Sequence, residues 1–330
     1  MISRRRFLKL SALTAMVPLF PAFSAAPANA GALKELVFAG PPAPLSLPLA
    51  RLADDPAVKA LAPVVAMRQW RTPDILRTWV VSGEVQVAAV PVNAAAALYN
   101  KGMGIRLLDV NKGGALSIMS ADPAVASFTD LKGKKLLCFY RGDIPDLSLR
   151  LLFARLGLDS DKDVEISYAE SPFEAMGLFV SGRAQNALLP EPAATAAMMK
   201  AKQAGMAATR IPLQPVWEKA MGVSTFMPLG ATILQRSLIE DSPEAARTVA
   251  DALPGAVTAV NADPAAAANS YAGLFELKPP LVEASLKAFP VAAIAGAEAR
   301  NQLEFFLSAL MELSPKFLGG RLPDQGFYQS

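Results

Sequence analysis

The chain has 330 residues, with 32 lysines and arginines, 29 aspartates and glutamates, one cysteine and no histidine. Without histidine there is no catalytic triad, cysteine–histidine dyad or histidine-ligated zinc, and one cysteine excludes an internal disulfide and a cysteine-based metal cluster. Hydrophobic residues make up 52% and charged residues 18%, which is typical of a well-packed globular protein. This length predicts two domains or lobes.

The first thirty residues have the pattern of an export signal. Residues 3–9 read SRRRFLK, which matches the twin-arginine motif S-R-R-x-F-L-K at each defined position. An apolar stretch over 10–23 follows, and Ala28-Asn29-Ala30 is typical of a cleavage site. The alternative, a membrane anchor, is disfavoured because the stretch is short and interrupted by two prolines. We predict a signal peptide over 1–30, export to the periplasm by the twin-arginine machinery, and cleavage near Ala30.

Cleavage would change the charge balance of the chain. The signal contains four basic residues and no acidic one, so 28 basic and 29 acidic residues remain and the net charge becomes −1. A near-neutral chain gives no electrostatic reason to expect nucleic acid as a partner.

After the signal, strands and helices alternate with short loops. The first elements predicted are strands over 33–39, 64–70, 85–90, 105–110 and 116–120 and helices over 45–53, 72–82 and 94–100. Strands over 135–140, 164–168 and 184–189 and helices over 146–156, 172–181 and 193–203 follow. The last predicted elements are a strand over 227–234, which returns to the first lobe, and helices over 244–261, 264–274, 280–288 and 298–313. This alternation predicts α/β lobes with mostly parallel sheets flanked by helices.

Several short motifs occur in a recognisable order along the chain. They are DLKGKK at 130–135, SPFEA at 171–175, Glu191-Pro192 at a strand end, SGEVQVA at 82–88, and LPD at 322–324 followed by Phe327-Tyr328. This order resembles the periplasmic solute-binding proteins of ABC importers, in the branch that takes nitrate, sulfonates, taurine and thiamine precursors. Gln86 stands where that branch usually has aspartate.

The resemblance implies a two-lobed periplasmic binding protein fold of type II with a ligand cleft between the lobes. Lobe 1 would comprise 31–118 and a largely helical second part at 223–330, and lobe 2 would comprise 119–222. Proteins of this kind bind a small solute and deliver it to a membrane permease, so no catalytic residue, cofactor or metal is expected.

The cleft predicts where the ligand-binding residues lie. Ligands of open α/β sheets bind at the carboxyl ends of strands, where loops lead into helices. The candidate residues in those loops and near the returning strand are Pro44, Ser46, Trp70, Arg71, Thr72, Pro91, Asn93, Arg141, Gly142, Asp143, Asp146, Glu191 and Met227.

The loop over 140–146 is the most informative of these. Arg141 either clamps an anionic group with two hydrogen bonds or forms a surface or interlobe ion pair. Gly142 allows the backbone to approach a ligand closely. Asp146 is expected to cap the following helix, whereas Asp143 either caps it or receives a cationic or hydroxylated ligand.

The earlier loops leave similar alternatives. Trp70 either lines the cleft or fills the core of its lobe. Arg71, the next residue, is a further candidate for contact with the ligand. Ser46, Thr72 and Asn93 either bond the ligand or cap helices, and capping is the favoured role for Asn93.

Two further candidates come from the later part of the chain. Glu191 serves either lobe closure or ligand contact, and Met227 would offer an apolar wall. Three functions are compatible with these residues: a receptor that delivers a small anionic solute to a permease, a receptor that signals to a membrane sensor, and an enzyme using Asp143, Asp146 or Glu191. We expect the first of these. Gln86 and the acids of the 140–146 loop argue against a plain sulfonate or nitrate as the solute.

Overall fold

The structure is a computed structural model that describes residues 33–112, 115–222 and 225–328, so the predicted export signal lies outside the described residues. The strands are β1 Glu35–Gly40, β2 Val64–Gln69, β3 Val87–Pro91, β4 Ile105–Asn111, β5 Leu116–Ser120, β6 Lys135–Phe139, β7 Glu165–Ala169, β8 Asn186–Pro190, β9 Thr209–Pro212, β10 Gly230–Gln235 and β11 Ala293–Ala295.

Helices connect most of these strands. They are α1 Leu47–Ala53, α2 Pro56–Lys59, α3 Pro73–Ser82, α4 Val92–Asn100, α5 Ile144–Arg155, α6 Pro172–Val180, α7 Ala193–Gln203, α8 Leu213–Met221, α9 Arg236–Asp241, α10 Pro243–Ala262, α11 Pro264–Tyr271, α12 Pro279–Ala288 and α13 Gly296–Leu313. Short 3₁₀ turns cover Pro44–Ser46, Phe128–Leu131, Ala272–Phe275 and Gln325–Phe327.

The strands form two sheets, as predicted. The first sheet has the order β11-β4-β10-β3-β1-β2 and the second has the order β7-β6-β8-β5-β9. Most strands of each sheet run in one direction, because helical crossovers return the chain to the same edge. The exceptions are β10 and β11 in the first sheet and β5 in the second. Because β10 lies between β3 and β4, and β5 between β8 and β9, the hydrogen-bonded pairs are mixed.

Local sequence signals explain the bounds of α3. Thr72 precedes the helix with an extended backbone, and its hydroxyl oxygen accepts a hydrogen bond from the Ile75 N–H at 3.4 Å. Gly83 ends the helix in the left-handed conformation with φ of 76°, which a residue with a side chain rarely adopts. The predicted helix over 72–82 is therefore confirmed to within one residue.

Other elements were not predicted, or begin elsewhere. The elements α2, β9, α8, α9 and β11 were not predicted, and each of them is short, with nine residues or fewer. The returning strand begins at Gly230 rather than 227. The Met227 N–H is bonded to the Gln214 side chain, and Pro228 has no N–H to give to a sheet.

The last long helix, α13, packs against both halves of the chain. It contacts β4 of the first sheet and α5 beside the second sheet. Phe306 and Leu310 on this helix are fully buried, and the Phe306 ring lies 5.2 Å from the ring of Trp217 on α8. The apolar core is therefore continuous from one sheet to the other through α13.

A buried acid lies in the first sheet. Asp109 on β4 is 5% exposed, and its Oδ1 accepts a hydrogen bond from the Thr232 N–H at 2.9 Å. Burial raises the pKa of Asp109 from 3.8 to about 6, and the bonds from Thr232 only partly oppose this. The carboxyl therefore remains protonated in the folded chain over a pH range in which the unfolded chain is already ionised.

We expect Asp109→Asn, which keeps the acceptor oxygen, to stabilise the protein at neutral pH. Since the folded pKa is the higher one, the stability contributed by Asp109 is fully present below about pH 4 and is lost as the pH rises through 6. The gain in unfolding free energy should be about 3 kcal/mol at pH 7.5 and shrink to about 1 kcal/mol at pH 4.5. Urea unfolding at the two pH values measures it, with Asp251→Asn on the surface of α10 as the control. An equal effect at both pH values would contradict the role of burial.

Candidate functional site

Loops from the two sheets meet at the carboxyl ends of their strands. Asn93, just after β3 of the first sheet, donates a hydrogen bond from Nδ2 to Oδ1 of Asp143, which follows β6 of the second sheet, at 2.7 Å. Glu191, just after β8, accepts a hydrogen bond at Oε2 from the Ser285 hydroxyl on α12 at 2.6 Å. These contacts join the two halves of the chain in the cleft region, where the sequence predicts a ligand site.

A cavity of about 160 Å³ lies in this cleft. Its size is close to that of cavities that hold a benzene-sized molecule. Its lining is mostly apolar, with Asn111, Lys112 and Glu191 as the polar members. The lining residues are Ala43, Pro44, Leu45, Asn111, Lys112, Ala115, Glu191, Leu229, Gly230 and residues 288–292. Of the predicted site residues, Pro44 and Glu191 therefore line the cavity.

Asp146 supports the loop over 140–143 from beneath. Its carboxylate is 2% exposed and accepts hydrogen bonds from the Gly142 N–H at 2.8 Å, from Arg150 Nε at 2.9 Å and from the Tyr168 hydroxyl at 2.8 Å. The expectation that Asp146 caps α5 is wrong, because Asp143 occupies the N-cap position and bonds the Ile144 N–H. Asp146 lies one turn further on, where its side chain reaches back to the loop.

Arg141 lies on the outside of the same loop. Its side chain is exposed, and its guanidinium lies 5.4 Å from the centroid of the Tyr168 ring, a cation–π contact. Gly142 is exposed with φ of 76°, a conformation that residues with a side chain rarely adopt. Contact of either residue with a ligand stays a prediction.

The loop after β2 has mainly structural contacts. Trp70 is 7% exposed, packs in the apolar core and donates from Nε1 to the Ala89 carbonyl at 3.0 Å. Arg71 is exposed and forms an ion pair with Glu276, and Thr72 caps α3. The structure therefore places Trp70 in the core of its half of the chain.

The remaining predicted residues also have contacts within the protein. The expectation that Asn93 caps α4 is wrong, because the helix begins at Val92 and Pro91 is its N-cap residue. Asn93, one position into the helix, is left to bond Asp143. Ser46 is buried and donates to the Pro41 carbonyl at 2.7 Å, and Met227 is fully buried in the core.

Glu191 is held on both carboxylate oxygens. Oε1 forms an ion pair with the guanidinium of Arg210 on β9, and Oε2 bonds Ser285. Arg210 also lies 4.4 Å from the centroid of the Phe289 ring, which lines the cavity. Glu191 thus connects the second sheet to α12, and this observation favours the lobe-closure role over free ligand contact.

Several residues of this cleft were not predicted from the sequence. Arg210 lies in a strand that was not predicted, and Lys112 and Phe289 lie in loops without a motif. Ser285 could have been recognised as a candidate, because it is a polar residue at a fully buried position of the amphipathic helix α12.

Two negative findings apply to the described part of the chain. Within residues 33–112, 115–222 and 225–328, no group of three or more acidic or cysteine side chains is placed to hold a metal ion. No helix in the same ranges is both long enough and apolar enough to cross a membrane.

Solved structures of similar fold include periplasmic binding proteins. An ABC transporter protein from Parabacteroides distasonis superposes with a TM-score of 0.73 and 22% identity, covering 90% of this chain and 99% of its own. The periplasmic aliphatic sulphonate binding protein SsuA from Escherichia coli superposes with a TM-score of 0.67 and 15% identity, covering 90% of this chain and 98% of its own. The periplasmic nitrate-binding protein NrtA from Synechocystis superposes with a TM-score of 0.64 and 13% identity, covering 87% of this chain and 83% of its own.

The comparison of sequences adds no family. No protein-family model matches the chain, and the search of curated proteins gives no match either. The structural likeness nevertheless confirms the predicted fold class: the chain has the periplasmic binding protein fold. This is also the fold that the resemblance noted from the order of motifs implied.

Proposed function

We propose that this protein is a periplasmic solute-binding receptor of an ABC importer. It captures a small solute in the cleft between the two sheets and delivers it to a membrane permease. The observation that carries the proposal is a cavity of about 160 Å³ lined from both sheets in a fold shared with periplasmic binding proteins. Lys112, an exposed cation in the lining, supports the predicted anionic group on the solute.

Capture works by movement of two lobes about the chain crossings. The sequence predicts lobe 1 over 31–118 and 223–330 and lobe 2 over 119–222. The bound at 118 needs correction, because β5 Leu116–Ser120 pairs with β8 and β9 of the second sheet, so lobe 2 begins before Leu116. The Asn93–Asp143 and Glu191–Ser285 hydrogen bonds join opposite sides of the cleft, so they form only when the lobes are together.

The route to the periplasm follows from the amino-terminal motif. The twin-arginine machinery exports the chain, and the signal is cleaved near Ala30, as residues 3–9 and 28–30 indicate. The partners are therefore the solute, the permease and the export machinery, without nucleic acid.

Thermal unfolding of the exported protein tests the receptor function. The panel contains sulfonates, oxyanions, dicarboxylates and pyrimidine precursors. A solute at a hundred times its dissociation constant should stabilise the protein by about 2.7 kcal/mol. Lys112→Gln should weaken binding of an anionic solute without changing the unfolding temperature of the unliganded protein, whereas Lys101→Gln, at the exposed end of α4, should leave binding unchanged.

Two results would contradict these expectations. If no compound shifts the unfolding temperature, and native mass spectrometry of the exported protein shows no bound small molecule, the receptor proposal is wrong. A shift that persists unchanged in Lys112→Gln would show that the solute does not use the cation of the cavity.

A further inference from the structure

Helix α12 is attached to the half of the chain that contains the first sheet. Val282 and Leu286 on this helix are buried in an apolar cluster with Leu47 of α1 and Tyr271 of α11. Helix α1 in turn contacts β1 and β2 of the first sheet. One face of α12 therefore packs on the first half of the fold.

A second face of α12 contacts the other half. Leu281, Ser285 and Phe289 are spaced four residues apart, so they form one row along the helix and its end. Leu281 packs against an apolar cluster built from the second sheet and from α6 and α7. Ser285 donates to Oε2 of Glu191, and the centroid of the Phe289 ring lies 4.4 Å from the guanidinium of Arg210. Every member of the row therefore contacts the second half.

The partners of this row are held in place by the second half itself. Arg210 donates from Nε to the Ser117 hydroxyl at 3.1 Å and from Nη1 to the Thr195 hydroxyl at 3.3 Å, and it forms an ion pair with Oε1 of Glu191. Among the described residues, Oε2 of Glu191 accepts a hydrogen bond from Ser285 alone. A fixed carboxylate oxygen and a fixed guanidinium face are therefore preorganised for α12, which lowers the entropic cost of docking.

The row also leads into the wall of the cavity. Residues 288–292 line the cavity, and they begin at the last residue of α12. Phe289 is thus a member of both the row and the wall. Movement of α12 away from the second half would therefore carry this part of the wall with it and open the cavity.

We propose that Leu281, Ser285 and Phe289 form a clasp that holds the two lobes together without a solute. Each contact of the clasp joins one protein group to another, so closing does not require a bound molecule. The open form is then the minor state of the unliganded protein, and a solute enters only while the clasp is open. What enters depends on the proposed receptor function, whereas the movement itself does not.

Distances between two spin labels test the clasp without a solute. The labels are attached to Arg247→Cys on α10 and Lys200→Cys on α7, both at exposed positions in opposite lobes, whereas the native Cys138 is fully buried. Native mass spectrometry first confirms that no small molecule is bound. Pulsed electron paramagnetic resonance should then give one dominant distance, which matches the structure. A dominant longer distance in this protein would overturn the inference.

Variants of the clasp supply the second arm. Leu281→Ser combined with Ser285→Ala should raise the ratio of open to closed molecules at least about tenfold, which corresponds to about 1.4 kcal/mol. Ser285→Ala alone, which removes one oxygen atom, should shift the ratio in the same direction and serves if the double variant does not fold. Lys287→Gln is the control, because it breaks only an ion pair with Glu283 within α12 and should leave the ratio within about twofold.

An unchanged ratio in the folded clasp variants would overturn the inference. That result would leave the receptor function standing, because the thermal panel measures binding independently of the labels. Conversely, a silent thermal panel would count against the receptor function, and the two label distances would still decide whether the clasp closes the lobes.

Discussion

Replacing Asp146 by alanine is expected to lower the free energy of unfolding by about 3–5 kcal/mol. The substitution leaves the Arg150 guanidinium, whose side chain is 21% exposed, without its buried counter-charge. It also removes the acceptor for the Gly142 N–H and for the Tyr168 hydroxyl. Urea unfolding followed by circular dichroism measures the loss. The cost is large because a buried carboxylate that accepts three hydrogen bonds is lost, while Arg150 keeps only the exposed Asp161 as a counter-charge.

Asp161 provides the matched control for Asp146. It bonds the same guanidinium at 2.7 Å, but its side chain is 76% exposed. Asp161→Asn should therefore change the free energy of unfolding by only about 0–1 kcal/mol, as exposed ion pairs do. If Asp146→Ala were no more harmful than Asp161→Asn, the network beneath the loop would not support the loop.

Replacing Phe306 by alanine should be about as destabilising, by about 3–5 kcal/mol. Phe306 is fully buried on α13, where its ring meets Trp217 on α8. Since α13 contacts elements of both sheets, the resulting cavity weakens the core that joins them. Tryptophan fluorescence during urea unfolding reports the change at the affected position.

The adjacent residue on α13 is the control for this experiment. Phe305 is 42% exposed, and its ring centroid lies further from Trp217, at 6.5 Å. Phe305→Ala should cost about 1 kcal/mol, because less apolar surface returns to water. Equal losses for the two substitutions would contradict the bridging role of the buried face of α13.

Much of the secondary structure was predictable because its causes are local. Thr72 and Gly83 bound α3 by a side-chain cap and a left-handed residue, and both signals lie within a few positions of the helix. The short elements β9 and β11 were missed because each is stabilised by pairing with a distant strand. Cap positions were less certain where two polar residues compete, as at Asp143 and Asp146.

The candidate site was predictable as a set of loops but not as a set of contacts. The rule that ligands bind at the carboxyl ends of strands selected the loops containing Pro44, Asn93, Asp143 and Glu191. Within those loops, the sequence could not distinguish Trp70, which fills the core, from residues that line the cavity.

By itself, the sequence determined the alternation of strands and helices, the α/β class and the loops at the carboxyl ends of the strands, because these depend on periodicity and on neighbouring residues. Only the tertiary structure decided which side chains pair across the cleft. Asn93 and Asp143 are 50 positions apart in the chain, and Glu191 and Ser285 are 94 apart. Such contacts depend on the packing of two sheets and on α13 between them, which no local pattern records.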